Sequence, residues 1–318
     1  MRKIFTVLLL LWFIPLLHSE DIPHYGYQIP HTPLYVGGYI SAVYDKEEYD
    51  DIVFDDIALL FYANRDKYHF LSELEISDLP LQGGKNTDIR IYIERFVLSY
   101  DQDEYTTISV GKFNSDIGFW NIAPINTLTD TTTSPHIMEV MFPELTTGIE
   151  YAKSLSDEEI LFSLTLQNNS DMDKQYNNFY INRHYAFMLR YAGYNHTLKL
   201  NGGYFKETNN KESFYAGIAY QHESDKWTLQ SELFTREAVN AKDIPYNGYI
   251  QLTRHFGIHH DIVAREEIYK DNIANVRENI SLIGYTYRPR TAIALKGEYV
   301  HHSKLPRHLF IISASMVF

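Results

Sequence analysis

Apolar and polar residues alternate with period two along most of the chain. In Tyr185-Ala186-Phe187-Met188-Leu189-Arg190-Tyr191, Phe187, Leu189 and Tyr191 fall on one side, and Ala186, Met188 and Arg190 on the other. Leu198, Leu200, Gly202 and Tyr204 oppose Lys199, Asn201 and Gly203 in the same way. So do Trp227, Leu229, Ser231 and Leu233 against Thr228, Gln230 and Glu232, and Ile293, Leu295 and Tyr299 against Ala294, Lys296 and Glu298. This is the period of a strand with one greasy and one polar face. No amphipathic helix longer than about three turns fits the helical template. The pattern predicts sixteen strands, at 34–44, 52–64, 67–77, 88–100, 105–112, 146–154, 160–168, 185–193, 197–206, 213–222, 227–235, 248–254, 258–269, 278–287, 291–300 and 309–318.

The connections between them alternate in length. Short turns fall at 65–66, 101–104, 155–159, 194–196, 223–226, 255–257 and 288–290. Long ones fall at 45–51, 78–87, 113–145, 169–184, 207–212, 236–247, 270–277 and 301–308. Every second connection therefore lies on the same side, as in a transmembrane β-barrel with short periplasmic turns and longer outward loops. A soluble sandwich has no reason to sort its loops by parity. In lipid every backbone N–H and C=O needs a partner, so the strands have to close. The expected fold is all-β: a transmembrane antiparallel barrel of about sixteen strands. Its apolar face would meet outer-membrane lipid and its polar face would line the lumen. Tyr44, Tyr68, Tyr100, Tyr151, Tyr204, Trp227 and Tyr299 sit where interfacial girdles belong.

The first residues change the compartment. Arg2 and Lys3 precede a largely apolar stretch, Ile4 to Leu17, followed by His18, Ser19, Glu20 and Asp21. That reads as a secretory signal peptide, 1–19, and the run is shorter than a spanning helix needs. Residues 20–33 are then a periplasmic segment and 34–318 the barrel. Without 1–19 the chain carries 26 basic and 41 acidic residues, net −15 over 299 residues. Such a balance argues against a nucleic-acid partner. The absence of cysteine removes disulfides, cysteine-zinc sites, thiol catalysis and a lipoprotein anchor. The forty-seven aromatic residues, twenty-six of them Tyr, argue against disorder.

Two local features are more specific. Phe318 ends a strand in which Phe310, Ile312, Ala314 and Met316 alternate with Ser313 and Ser315. The segment Gly111-Lys112-Phe113-Asn114-Ser115-Asp116-Ile117-Gly118-Phe119-Trp120-Asn121 heads the longest connection. Together with the leader and the loop parity, these resemble Gram-negative outer-membrane porins, specifically porins related to the phosphate-selective type. The resemblance spans the mature chain in architecture but only short stretches in motif. It implies a passive diffusion channel for ions and small hydrophilic solutes in the outer membrane. It also implies recognition of Phe318 by the barrel-assembly machinery, and a homotrimer. The third long loop, 113–145, would fold inward and narrow the pore, with Asp116, Trp120, Asn121, Asp130 and Glu139 as constriction residues.

On the polar face, the expected lining is Arg90, Arg190, Lys199, Arg265 and Lys296 against Asp56, Glu73, Glu75, Glu94, Glu150, Glu232, Glu267 and Glu298. Five positive against eight negative charges lean weakly to cations. The strong basic ladder of phosphate-selective relatives is missing, which leaves anion specificity without support. No cofactor, metal or catalytic group is expected. His-His pairs point to alternate faces of a strand and cannot readily share an ion. Other classes compete: a sealed structural or adhesive barrel, an outer-membrane hydrolase and a soluble periplasmic β-protein. For the hydrolase, His259-His260-Asp261 and His301-His302-Ser303 are the suggestive clusters.

Overall fold

The structure, a computed structural model, describes residues 26–45, 51–80, 90–123, 125–155, 159–239, 243–304 and 308–318. The expected signal peptide, 1–19, and residues 20–25 of the expected segment 20–33 lie outside them. A short strand, β1 (Tyr27–Gln28), precedes β2 (Leu34–Asp45), β3 (Asp51–Arg65), β4 (Tyr68–Pro80), β5 (Tyr92–Asp103) and β6 (Thr106–Asn114). After the longest connection come β7 (Leu145–Leu155), β8 (Ile160–Gln167), β9 (Ile181–Ala192), β10 (His196–Glu207), β11 (Glu212–Glu223) and β12 (Trp227–Ala238). The last five are β13 (Ile244–Phe256), β14 (His260–Asp271), β15 (Val276–Arg290), β16 (Ile293–His302) and β17 (His308–Val317).

Strands β2 to β17 pair antiparallel with their sequence neighbours, and β17 pairs with β2. The result is a closed sixteen-stranded barrel with no free edge, which satisfies the backbone in lipid. Each predicted strand is present. Several reach further outward than the alternation suggests, because hairpin pairing continues to satisfy backbone groups beyond the lipid-facing band. Thus 236–247 is mostly strand: β12 runs to Ala238 and β13 begins at Ile244. The seven turns on one side hold two to four residues, and the connections on the other hold four to thirty. Parity survives, but the contrast is small in the C-terminal half.

The faces follow the alternation. Leu98, Val110, Ile149, Phe187, Leu189, Leu200, Ile218, Leu233, Ile283 and Phe310 are exposed on the outside. Their polar neighbours are buried inside. Paired outer-face residues include Tyr68 and Tyr100, whose rings lie 5.1 Å apart at the short-turn end.

Two bulges re-aim inward positions. One between β2 and β3 makes Asp55 the extra residue, and one between β4 and β5 does the same for Glu94. The second bulge turns two successive side chains, Glu94 and Arg95, into the barrel. Arg95 there pairs with Glu73, and the Tyr39 hydroxyl lies 3.1 Å from both Glu75 and Glu94. Strict alternation would have put Arg95 in lipid if counted from Tyr92, or Glu94 there if counted from Leu98.

Closure depends on a close approach. The Gly38 and Phe318 backbones exchange two hydrogen bonds of 2.9 Å, and the Phe318 ring lies over Gly38. A Cβ on Gly38 would collide with the Ala58 carbonyl oxygen and sit 2.9 Å from the Phe318 ring. Past Phe318, β1 takes over the edge of β2, with Tyr27 opposite Val36 and Gln28 opposite Tyr35. Gly38→Val is therefore expected to lower the yield of folded, heat-modifiable barrel in gel mobility assays. Gly297→Ala, where a Cβ meets nothing within 4 Å, should leave it unchanged.

Candidate functional site: a loop held inside the barrel

The connection between β6 and β7, residues 115–144, lies inside the barrel and touches its wall on nearly every side. It contains a 3-10 turn, Trp120–Ile122, and one short helix, α1 (Ile137–Val140). Its attachments reach β10, β12, β14 and β16. Lys199 on β10 donates to Asp116 Oδ1 at 3.0 Å and to the Gly118 carbonyl at 2.8 Å. Glu232 on β12 accepts the Phe119 and Trp120 N–H groups at 2.8 and 3.1 Å, and the Tyr249 hydroxyl at 2.8 Å. Gly118, with φ of +65°, makes this approach: a side chain there would run into the Glu232 carboxylate.

The Thr-rich half of the loop is bound by ions of the opposite wall. Lys296 on β16 donates to the carbonyls of Asn126 and Thr131, to the Asn126 amide oxygen and to the Thr129 hydroxyl. Glu298 accepts the N–H groups of Thr132 and Thr133 and the Thr133 hydroxyl. Arg265 on β14 donates to Thr131, Thr133 and Ser134 and pairs with Glu267 at 2.8 Å. Glu267 also accepts the His136 N–H at 2.8 Å. The Arg265 guanidinium lies 5.5 Å from the Trp120 ring centre. A hydrogen bond to a charged group contributes about 1.5–3 kcal/mol, and a buried ion left without one costs more.

An apolar contact completes the hold. Ile137, Met138, Met141 and Phe142 pack against Ile181, Phe205, Tyr215, Phe234 and Ile244 of the inner wall. Fully burying one such side chain stabilises by roughly 1.5–3 kcal/mol.

Of the expected lining residues, Lys199, Glu232, Arg265, Glu267, Lys296 and Glu298 are thus buried beneath the loop, not bathed in the lumen. Glu73, Glu75 and Glu94 are buried together around Tyr39 and Arg95. Asp56, Glu150 and Arg190 are partly buried on the inward face. Arg90 precedes β5 and donates to Gln175 in the 168–180 loop.

Among the expected constriction residues, Asn121 is buried and tied to the Ser115 and Glu144 carbonyls. Asp130 accepts from Thr253 at 2.7 Å and faces Arg288 at 3.7 Å. Glu139 is exposed, with His136 Nε2 3.8 Å away. Sequence reasoning missed Lys112, which is fully buried. Its ammonium donates to the carbonyls of Ile93, Asp173 and Tyr176 and so joins β5, β6 and the 168–180 loop. The only signal for it was its place in the Gly-Lys-Phe motif.

Three cavities border the loop. The outermost, about 420 Å³, is lined by Glu94, Tyr92, Asn114, Glu144, Gln175 and Trp120 among others. One of about 370 Å³ reaches the short-turn end, between Trp120, Asp130, Gln221, Glu223, Gln251 and His255. Trp120 borders both. A third, about 400 Å³, lies against β14–β17 and β2. Burial first, then the nearby Glu139 and Glu94 carboxylates, push the Glu144 carboxyl up to about 7.

The histidines divide as a period of two requires. His301 points out and meets His308 at 3.0 Å, whereas His302 lies 3.4 Å from Glu278. His259 and His260 bond the Arg288 carbonyl and the Tyr285 hydroxyl. One row does converge: Thr228 Oγ1 lies 2.9 Å from His255 Nε2, and His255 Nδ1 lies 2.7 Å from Asp261. Arg288 shares Asp261 and donates to the Thr129 carbonyl, so this row also braces the loop. Among the described residues no group of three or more His, Asp or Glu is placed to hold a metal ion.

No family model matches the chain. No curated protein matches it in sequence. Solved structures do. A complex of Salmonella typhi OmpF with daunomycin superposes with a TM-score of 0.67 at 10% identity, over 90% of this chain and 97% of that one. The anion-selective porin from Comamonas acidovorans gives 0.63 at 9% identity, over 91% and 100% of the two chains. The outer-membrane channel DcaP of Acinetobacter baumannii gives 0.60 at 10%, over 93% and 100%. The chain has the fold of outer-membrane porins; nothing in these likenesses singles out the phosphate-selective type.

Glu232→Ala would leave the Phe119 and Trp120 N–H groups without their acceptor, at a cost of about 2–4 kcal/mol. Chymotrypsin is expected to cut the detergent-solubilised variant at Phe119 or Trp120 while sparing the parent. Equal resistance of the two would show that Glu232 does not hold the loop.

Proposed function

We propose that the chain is an outer-membrane porin, a passive channel for ions and small hydrophilic solutes with a weak preference for cations. The observation that carries the charge preference is the lining of the three cavities. Glu144, Asp130, Glu223 and Glu139 border them, and the one guanidinium there, Arg265, is already matched by Glu267. Lys199 and Lys296 are committed to holding the loop. Rings of one sign set ion preference in pores. On this reading solutes enter the 420 Å³ compartment, pass Trp120 and leave through the 370 Å³ one. The loop 113–145 is then the constriction, with Trp120, Asn121, Asp116 and Asp130 framing it and Glu139 on its other flank.

The same reading makes 1–19 a cleaved signal peptide and Phe318 the signal for the assembly machinery. It makes the functional unit a trimer in outer-membrane lipid, without catalysis or cofactor.

Purified protein in planar bilayers should give stepwise conductance and a cation-selective reversal potential in a KCl gradient. Selectivity should grow as pH rises through about 7, because the Glu144 carboxyl is neutral below that value and charged above it. Glu144→Gln should flatten this dependence. Absence of steps would favour a sealed structural barrel, and anion selectivity would overturn the cation preference.

The Thr228–His255–Asp261 row favours a second reading, a hydrolase at the short-turn mouth. A hydroxyl bonded to an imidazole that is oriented by a carboxylate is the arrangement of an activated nucleophile. On the porin reading, a fluorophosphonate probe should not label the purified protein. Labelling that vanishes in both Thr228→Ala and His255→Ala would establish the hydrolase instead.

A further inference from the structure

We propose that the third cavity, between the inner loop and the outer ends of β14–β17 and β2, binds amphipathic organic cations: an amine carried on a compact apolar body.

The inner wall is polar over most of its height. On these strands Ser41, Thr286, Lys296, Glu298, Ser313 and Ser315 point inward and are buried. Toward the outward ends the inward positions turn aliphatic, with Val43, Ile280, Val300, Leu309 and Ile311 in one cluster. These are not lipid-facing residues displaced by a slip of register. Tyr299 and Phe310, at the alternate positions, are the exposed ones. An apolar patch facing inward departs from the polar interior of a water-filled barrel.

The aliphatic part of the patch does not hold the loop, whose contact with this cluster is the His136 ring on Tyr269. The loop's own apolar side chains pack elsewhere, Ile137, Met138, Met141 and Phe142 against Phe205, Tyr215, Phe234 and Ile244, and Ile125 against Tyr39, Ala58 and Val317. Toward the patch the loop presents Thr132, Thr133, Ser134, His136 and Glu139, across a cavity of about 400 Å³. That size falls among small-molecule sites, about 300–1,000 Å³.

The polar side chooses the sign of the ligand. Arg265 places its donors on the loop and on Glu267, and Glu267 is filled by Arg265 and the His136 N–H. The His136 ring stacks on Tyr269 at 4.0 Å, and its Nδ1 meets the Asn247 amide at 2.9 Å. Glu139 differs: its side chain is 65% exposed, and His136 Nε2 stands at 3.8 Å, beyond hydrogen-bond length. With Arg265 matched by Glu267, the exposed Glu139 sets the charge offered to a ligand. A cationic head at Glu139 and an apolar body on Val300 and Ile311 satisfy both walls. A carboxylate or a fully hydrated ion satisfies neither.

The site requires only that the cavity be open to solvent, not that ions cross the barrel. The test is calorimetric titration of the detergent-solubilised full chain with alkylammonium ions from propyl to hexyl. Hexanol and hexanoate serve as controls. Affinity should rise about three- to fourfold per added methylene. The double variant Val300→Thr, Ile311→Thr should lose that dependence, since micelle partitioning is common to both proteins and cancels. Glu139→Gln should keep it but lose the preference of hexylammonium over hexanol. Gel mobility confirms that each variant is folded. An unchanged methylene dependence in the double variant, or hexanoate binding as tightly as hexylammonium, would overturn the site. KCl conductance reads the channel separately. Steps without this binding sink the site alone, and binding without steps sinks the porin reading alone.

Discussion

Ions buried on the inner wall, each matched to backbone groups of the 115–144 loop, are the interaction on which this architecture depends. Lys199, Glu232, Arg265, Lys296 and Glu298 would each be costly to bury without partners. The loop backbone carries N–H and C=O groups that would be equally costly inside a barrel without water. Each set is the other's solution. Glu232 takes two successive N–H groups, Glu298 takes two more, and Lys296 takes two carbonyls. The apolar packing of Phe142 and Met141 adds stability, but the ions fix where along the loop each strand attaches.

The wall obeys a simpler constraint. Lipid demands that every backbone group be paired within the sheet, so the barrel must close and each face must keep its parity. Where parity breaks, a bulge does it, and the result is local chemistry. The extra residue at Glu94 brings Arg95 inside to meet Glu73. The extra residue at Asp55 adds a carboxylate to the cavity opposite Glu139.

This difference decides what is legible in the sequence. Strand number, faces and the short-turn side follow from a period of two and the turns, which are local. Phe187 and Leu189 outside, and Glu232 and Lys296 inside, needed no knowledge of distant residues. The loop's exceptional length pointed to a role, but its contacts could not be foreseen. Lys296 bonds Asn126, 170 positions away, and Arg265 bonds Thr131 across 134. An inward charge in a strand has the same local pattern whether it meets water or a loop. Six of the expected lining residues therefore proved to be loop anchors. Lys112 escaped notice because its three carbonyl partners come from two separate segments. Arg90 lies outside the strand that the alternation predicts for it, because β5 begins only at Tyr92.

The anchoring has a consequence for the charge of the space that remains. A loop backbone offers donors and acceptors alike, so it could have matched basic and acidic wall residues evenly. Here it takes up the lysines Lys199 and Lys296 and the guanidinium of Arg265 most completely. Carboxylates such as Glu94, Glu144 and Glu139 still border open volume. On the proposed reading, the charges that border the open volume are then mostly acidic, Glu94 from the wall and Glu139 and Glu144 from the loop itself. On that reading, selectivity would be set less by which charges point inward than by which of them the loop leaves facing water.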